Sequence, residues 1–439
     1  MAANFAEAPI RHLHDLPSPH GLPWLGNLLQ LRPGKRMHRI LERWCAELGP
    51  AFRLQLGPGQ AFVCSDPELL QTVLRERPER YRRFAPIESV IAEMGANGVF
   101  SVEGEAWRPQ RRLVMQALSA THFRGFFPTL QTITGRLLRR WQRAAARGET
   151  VEMTDDLVRY TVDVTTALAF GEDPNTIETT GDVIQDHLAL MFPMLMTRIN
   201  APFPLWRYLK LPRDYRFDRA LAAVHRHVQQ MIERARRRMR DDPRETPRNL
   251  LEAMLATRDQ PDSGLTDEIV SANVLTLLLA GEDTTAHTLA WTLSYMARDA
   301  ALQQRMHLAA VEVLGDNGVC PSFDDVKRLD LFEATAHEAT RLRPIVPLLF
   351  MEPLVDVVLG GIALPARTPL FFVLRPAMQD DRHFADAAQF RPDRFMPGHD
   401  NHAGAHDARA YAQFGAGPRV CPGRHLAHVE LRLVLSMLA

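Results

Sequence analysis

Residues 266–298, TDEIVSANVLTLLLAGEDTTAHTLAWTLSYMAR, carry one unbroken helical pattern, and no other stretch restricts the fold as strongly. At 1.5 Å per residue such a helix is about 50 Å long, enough to cross a whole domain. Thr266 is placed to cap it, and Asp267 and Glu268 favour the positive end of its dipole. Both flanks, VLTLLLA and HTLAWTLSYM, are apolar enough to be buried, yet the centre reads Gly281-Glu282-Asp283-Thr284-Thr285. A glycine inside a helix costs about 1 kcal/mol against alanine, and a buried carboxylate costs more unless it is paired. Two readings stand. One is a packing glycine with polar side chains that meet a neighbouring loop. The other is a local opening of the helix, with a hydroxyl and a carboxylate facing a buried site. An adjacent acid and alcohol can relay protons from water.

The rest of the chain supplies more helix than strand. From Trp107 to about residue 310 the pattern is mostly helical, broken at GEDPN, APFPLWRYLKLP, DDPRETP and QPDSG. AFRLQLGPGQAFVCSD alternates apolar and polar residues around GPG, the pattern of a β-hairpin. PELLQTVLRER returns to helix, with Asp66 placed to cap it and Pro67 near its start. Residues 345–375 switch to β-type runs, VDVVLGGIALP and TPLFFVL. No repeat or separating linker interrupts residues 1–439. The expected fold class is one domain, mainly α, with a small β portion drawn from both ends of the chain.

Charge and cysteine content narrow the function classes. Lys plus Arg and Asp plus Glu are both 52, so no global field steers the protein toward nucleic acid or an anionic membrane. The basic run Arg234, Arg236, Arg237, Arg238 and Arg240 reads as a solvated helix face. Four cysteines, Cys45, Cys64, Cys320 and Cys421, lie far apart without a CxxC pair, which argues against a disulfide framework. The N-terminus has no apolar run of a signal peptide, and VLTLLLA is too short to span a bilayer. A cytoplasmic protein with no membrane anchor is expected.

FGAGPRVCPGRHLA, Phe414 to Ala427, sets one cysteine behind two glycines, a proline and an arginine. Gly415 and Gly417 permit positive φ and close approach to a flat ligand. Pro422 suits a first helical turn, so Cys421 falls about where an N-cap stands. A sulfur there, near Arg419 and backbone N–H groups, is stabilised as the metal-binding thiolate. Two rivals are zinc held by Cys421, His425 and His428, and a nucleophilic Cys421. No second ligand pair has zinc-site spacing, no base is assignable to the nucleophile, and neither explains the glycines or Phe414. Elsewhere, Glu338 and Arg341 share a helix face, and Arg394 in FRPDRF is placed to flank the same carboxylate and pin its loop to that helix. Trp107 and Arg111 stand four apart, either as a carboxylate site or as a core tryptophan beside exposed arginines.

Phe414-x-x-Gly417-x-Arg419-x-Cys421-x-Gly423 resembles the heme-thiolate loop of the cytochrome P450 family. Ala280-Gly281-x-Asp283-Thr284 is similar to the family's oxygen-activating stretch, and Glu338-x-x-Arg341 with Arg394 resembles its Glu–Arg–Arg core. Trp107 and Arg111 resemble the pair that holds a heme propionate. The resemblance runs from PSPHGLPWLGN almost to the last residue. It implies the P450 fold and heme b (iron protoporphyrin IX), with Cys421 as proximal iron ligand. Arg419, Trp107 and Arg111 are implied at the propionates, Phe414 beside the sulfur, Gly417 and Gly423 in the cofactor loop, and Asp283 and Thr284 as proton carriers.

The implied activity is insertion of one atom of O2 into a C–H bond of a hydrophobic small molecule. Electrons are expected from a ferredoxin or flavodoxin with its reductase, docked on the cysteine side near Arg108, Arg112 and Arg424. A peroxide-driven hydroxylase or an isomerase is the alternative on the same fold, and a non-catalytic heme-binding protein the alternative outside catalysis. The presence of both Asp283 and Thr284 favours the monooxygenase. Segments near 84–98 and 191–206 are expected to line the pocket, although a Met-rich run such as MFPMLM also suits plain core. Two departures stand out. The run PIVPLLFMEPL lacks the arginine many relatives carry there. The sequence also stops at Ala439 inside its final helix, so the expected fold lacks the family's C-terminal β-hairpin.

Overall fold

The computed structural model describes residues 10–31, 36–118, 120–179, 187–188, 190–199, 201, 203–244, 246–261, 263–398 and 406–439. Its axis is the central helix Asp267–Met296, 30 residues long and α-helical throughout. The Thr266 hydroxyl caps it by accepting the Ile269 N–H at 3.3 Å. The helix packs most extensively on the helix Met153–Phe170. It also meets the helices Pro212–Asp241, Asp330–Leu342 and Arg424–Leu438.

The apolar flanks of the central helix enter two different cores. Val270, Val274, Leu275, Leu278 and Leu279 pack with Ile87, Ile91, Met191 and Val224. Ala286, Leu289, Leu293 and Met296 pack with Leu137, Tyr160, Phe332 and Val434. Burying each large aliphatic side chain is worth about 1.5–3 kcal/mol, so both halves are anchored independently of the centre. Gly281 to Thr285 therefore lie at the seam between two cores, where Thr284 is exposed while Glu282 and Thr285 are buried.

Gly281 itself is a packing glycine. A Cβ at this position would stand 2.3 Å from Thr165 Oγ1, so the two helices pass closer than any side chain permits. The helix is not opened here. Thr284 Oγ1 donates back to the Ala280 carbonyl at 3.0 Å within an intact α-helical run.

The β portion comes from both ends of the chain, as the sequence implies. The strands are β1 (Arg11–His12), β2 (Ala51–Leu56), β3 (Gly59–Cys64), β4 (Tyr81–Arg83), β5 (Leu348–Pro353), β6 (Val357–Leu359), β7 (Ile362–Leu364) and β8 (Leu370–Val373). One sheet runs β2-β3-β8-β5-β4 and the other β1-β7-β6. β2 and β3 form the hairpin expected around Gly57-Pro58, with Leu56 opposite Gly59. β3 then pairs in parallel with β8, Phe62 beside Leu370, joining segments about 300 residues apart. Asp66 caps the helix Pro67–Arg75 by accepting from the Glu68 and Leu69 N–H groups.

Two expectations change. The C-terminal helix starts at Arg424 with Gly423 as its N-cap, so Cys421 precedes the cap by two residues. The basic run is not simply solvated, because Arg234 forms a bidentate pair with Glu172 and Arg236 reaches Asp267 at 2.7 Å. These pairs tie the helix Pro212–Asp241 to its neighbours.

Candidate active site

The loop that carries Cys421 is closed by its own backbone. The Cys421 N–H donates to the Phe414 carbonyl at 2.9 Å, and the Val420 N–H donates to the Gly417 carbonyl at 3.1 Å. Arg111 donates from Nη2 to the Val420 carbonyl at 2.6 Å, which ties the loop to the helix Trp107–Ala117. Gly417 has φ +67°, and a Cβ there would lie 2.3 Å from the Leu74 carbonyl. The close approach at this glycine is therefore to the helix Pro67–Arg75, not to a ligand. Gly415 differs, since with φ +71° a Cβ there would meet nothing within 4 Å. That open face remains available to a flat group.

Burial pushes the Cys421 thiol up from its ordinary value, while N–H groups of Gly423 and Arg424 and the Arg111 charge pull it down. The net shift is upward, although Cys421 is an exposed residue. It stands two residues before the cap of the C-terminal helix and so outside the N-cap position. A coordinated metal ion deprotonates such a thiol outright.

Beside the loop stands a group of arginines that the sequence disclosed only in part. Arg419 donates to the Val102 carbonyl at 2.8 Å, lies within 2.9 Å of Glu103 Oε2, and stacks over the Trp107 ring at 4.4 Å. Arg77 reaches Glu103 Oε1 at 3.0 Å, and the Arg83 backbone N–H donates to the same oxygen. Arg83 lies over the Phe100 ring. Burial and the neighbouring Arg77 lower the Arg83 pKa to about 9, and burial lowers that of Arg419 to about 10. Two guanidinium groups and one backbone N–H thus converge on one carboxylate.

Several of their N–H groups are buried without a partner, namely Arg419 Nε and Nη1, Arg77 Nε and Arg83 Nε. Unmatched buried donors are costly and call for acceptors. A macrocycle bearing two carboxylates meets that demand, so the residues present fit heme. Arg77, Arg83 and Glu103 carried no sequence signal, since their meaning lies in proximity to a residue more than 300 positions away.

At the centre of the long helix, Ala280 and Thr284 are exposed on one face, a turn apart. Burial raises the Asp283 pKa and His287 opposes the shift. Glu282 is 3% exposed, and burial, reinforced by the Asp283 charge, raises its pKa to about 8. Two acids with a proton-holding tendency therefore immediately precede the exposed Thr284 in the helix.

Residues 16–438 match the family model described as Cytochrome P450. The chain belongs to the cytochrome P450 family. Relatives are distant but extend along the whole length. The chain is 27% identical to cyclooctat-9-en-7-ol 5-monooxygenase of Streptomyces melanosporofaciens, over 96% of this chain and 88% of that one. It is 26% identical to pentalenene oxygenase of Streptomyces avermitilis, over 95% and 89%. It is 24% identical to protein LUTEIN DEFICIENT 5, chloroplastic, of Arabidopsis thaliana, over 89% of this chain and 66% of that one. The mainly helical architecture is that of a P450, and P450 proteins bind heme b. The reaction class of the chain is accordingly that of a P450 monooxygenase.

The Glu–Arg–Arg group of this P450 is fully formed. Arg341 binds Glu338 through Nε at 2.7 Å and Nη2 at 2.8 Å, and both side chains are 0% exposed. Arg341 also donates to the Met378, Ala387 and Gln389 carbonyls. Arg394 Nε and the Arg391 N–H complete the shell of Glu338 Oε1 at 3.1 and 2.7 Å. One carboxylate thus fixes the helix Asp330–Leu342 to the loop that follows Met378.

The remaining sequence candidates are scattered. Arg108 is held by Glu79 at 2.8 Å, whereas Arg112 and Arg424 are exposed. The rival zinc set is not assembled, because His425 packs on Phe123 and His428 turns to Glu333. PIVPLLFMEPL enters β5, where Phe350 meets Phe371 edge-on instead of an arginine reaching inward. The helices Ala85–Glu93 and Met191–Ile199 pack together with the first half of the central helix, and Met191 is plain core at 0% exposure. Among the described residues no helix is long and apolar enough to cross a membrane.

Proposed function

We propose that this P450 is a heme-thiolate monooxygenase that hydroxylates a C–H bond of a hydrophobic small molecule with electrons from a separate redox protein. The observation that carries it is the set of unmatched buried arginine donors beside the cysteine loop, supported by the acid–alcohol pair at the centre of the long helix. Cys421 is the residue placed to ligate iron, with Gly423 N–H directed at its sulfur. Arg419 and Trp107, joined by Arg77 and Arg83, receive the two carboxylates of the macrocycle. Arg111 holds the Val420 carbonyl and so keeps the ligating loop in position. Phe414 shields the sulfur side through its edge contact with His428. Gly417 sets the loop against Leu74, and Gly423 opens the helix behind it.

When bound, a thiolate-ligated heme supplies the oxygen activation that breaks O–O bonds. The chain's own contribution is proton handling. Burial favours the protonated form of Asp283, which makes it a donor, and Thr284 presents its hydroxyl on the exposed face. Glu282, proton-bound near neutrality, stands next to Asp283 as a reserve.

A hydrophobic substrate is supported by the apolar surround. Phe84, Ile87, Ile91, Met94 and Phe350 share one apolar cluster with Leu278 of the central helix. Relatives named for an unsaturated hydrocarbon and an unsaturated alcohol support a hydrophobic substrate for this chain as well. A ferredoxin or flavodoxin is the expected electron donor, drawn to the exposed Arg112 and Arg424 beside the cysteine loop.

Reduced protein with carbon monoxide should show the red-shifted Soret band of thiolate-ligated heme, and Cys421→His should lose it. A wild-type spectrum of the ordinary histidine type would sink the reading. Thr284→Ala should lower the fraction of electrons recovered in product by about tenfold or more while substrate binding is retained, in line with the contribution of a positioned proton donor. Unchanged coupling would remove Thr284 from the proton path.

A further inference from the structure

Glu333 and His337 stand one turn apart on the helix Asp330–Leu342, and His428 faces them from the C-terminal helix. The two imidazoles approach through Nε2 atoms 3.4 Å apart. Glu333 Oε1 lies 3.8 Å from His337 Nε2 and 3.1 Å from His428 Nδ1. One donor atom from each residue falls within 4.8 Å of the others.

Glu333 is ionised. Burial alone would raise its carboxyl, but His428, Arg432 and His337 pull it down to about 2. His337 is neutral, since burial and the neighbouring His428 lower its pKa to about 4. Arg432 Nε holds Glu333 Oε2 at 2.9 Å, and Asp330 in turn holds Arg432, leaving Oε1 to the imidazoles. The rings are immobilised by aromatic contacts, His337 against Phe395 and Tyr411, and His428 against Phe414. All three side chains remain partly exposed, so an ion has access from solvent.

We propose that Glu333, His337 and His428 form a second metal site, distinct from Cys421, for a zinc-class divalent ion bound by the Glu333 carboxylate and one ring nitrogen from each histidine. In tetrahedral coordination with zinc–nitrogen bonds of about 2.0–2.1 Å, neighbouring ligand atoms stand about 3.3–3.4 Å apart. The imidazole pair is already at that spacing. The ion would clamp the Glu–Arg helix to the helix that follows the cysteine loop, and the inference does not depend on the heme reading.

Zinc chloride titrated calorimetrically into heme-loaded, tag-free, chelator-stripped protein should show one saturable site per chain. His337→Gln and His428→Gln should each weaken it by more than about tenfold, as expected for loss of a ligand where even second-shell losses cost 10–100-fold. His14→Gln should leave it unchanged. No saturable uptake by the wild type, or equal uptake in both cluster variants, overturns the site. If either variant fails to fold, zinc-edge absorption spectroscopy of the wild type decides. Two nitrogen neighbours and oxygen at about 2.0–2.2 Å support the site, and a sulfur neighbour at about 2.3 Å overturns it.

Discussion

Glu282 shows how a single residue can set the pH response of a whole enzyme. Its folded pKa of about 8 lies above the ordinary glutamate value of 4.5, so the folded state holds its proton more tightly than the unfolded chain. The stabilisation is fully present below pH 4.5 and is lost as pH rises through about 8. The slope approaches 1.4 kcal/mol per pH unit, for a total of a few kcal/mol. Denaturant titrations across that window should show stability falling for the wild type, and Glu282→Gln should lessen the slope, leaving the share of the buried Glu430, whose pKa burial also raises. A Gln variant with an unchanged slope would mean another group titrates there. This residue was not singled out from sequence. Its neighbour Asp283 drew attention through its alcohol partner, whereas Glu282 owes its behaviour to burial, which a one-dimensional pattern does not express. The neighbour of Gly417 is likewise set by the fold. Its glycine signal is real, but the atom it makes room for is the Leu74 carbonyl.

Among elements, the crossing of the central helix over Met153–Phe170 is the tightest approach at the polar centre. Gly281→Ala is expected to destabilise by about 1–3 kcal/mol through overpacking on Thr165. Thr165→Ala should relieve most of that cost, because the clashing atoms are its Oγ1 and Cγ2. The coupling in a double-mutant cycle, read by chemical unfolding, should reach 0.5–3 kcal/mol, roughly the range for directly touching residues. Additive losses would place the strain elsewhere. Helices and strands as such were legible, since periods of 3.6 and 2 survive in the sequence. The cap at Thr266 and the hairpin at Gly57-Pro58 followed the same rules. The parallel union of β3 with β8 was not legible, because hydrophobic strands do not announce their partners. The start of the C-terminal helix slipped by a few residues because Pro422 signals a helical first turn, while the Cys421 N–H is already engaged by the Phe414 carbonyl.

At the scale of the whole molecule, the Glu338 network decides whether distant segments act as one body. Replacing Arg341 with Ala leaves a fully buried carboxylate with fewer donors and frees three carbonyls, a loss of about 3–5 kcal/mol by analogy with other broken buried pairs. Chemical unfolding, with heme retention alongside it, should register the loss, and a change under about 1 kcal/mol would show that the pair is dispensable. Glu338, Arg341 and Arg394 were legible because their motif combines a fixed helical spacing with one distant arginine. The carbonyl partners were not, since any residue can offer a carbonyl.

The zero exposure of that carboxylate has a consequence for how the molecule comes apart. Water must enter all of its hydrogen bonds together, so residues 378–394 have no half-docked state in which to linger. The segment resembles a latch with two positions. A protease given a cleavable sequence there would wait for the same opening that releases the helix Asp330–Leu342. Its cutting rate would then report the survival of the entire fold, although the segment itself is largely loop.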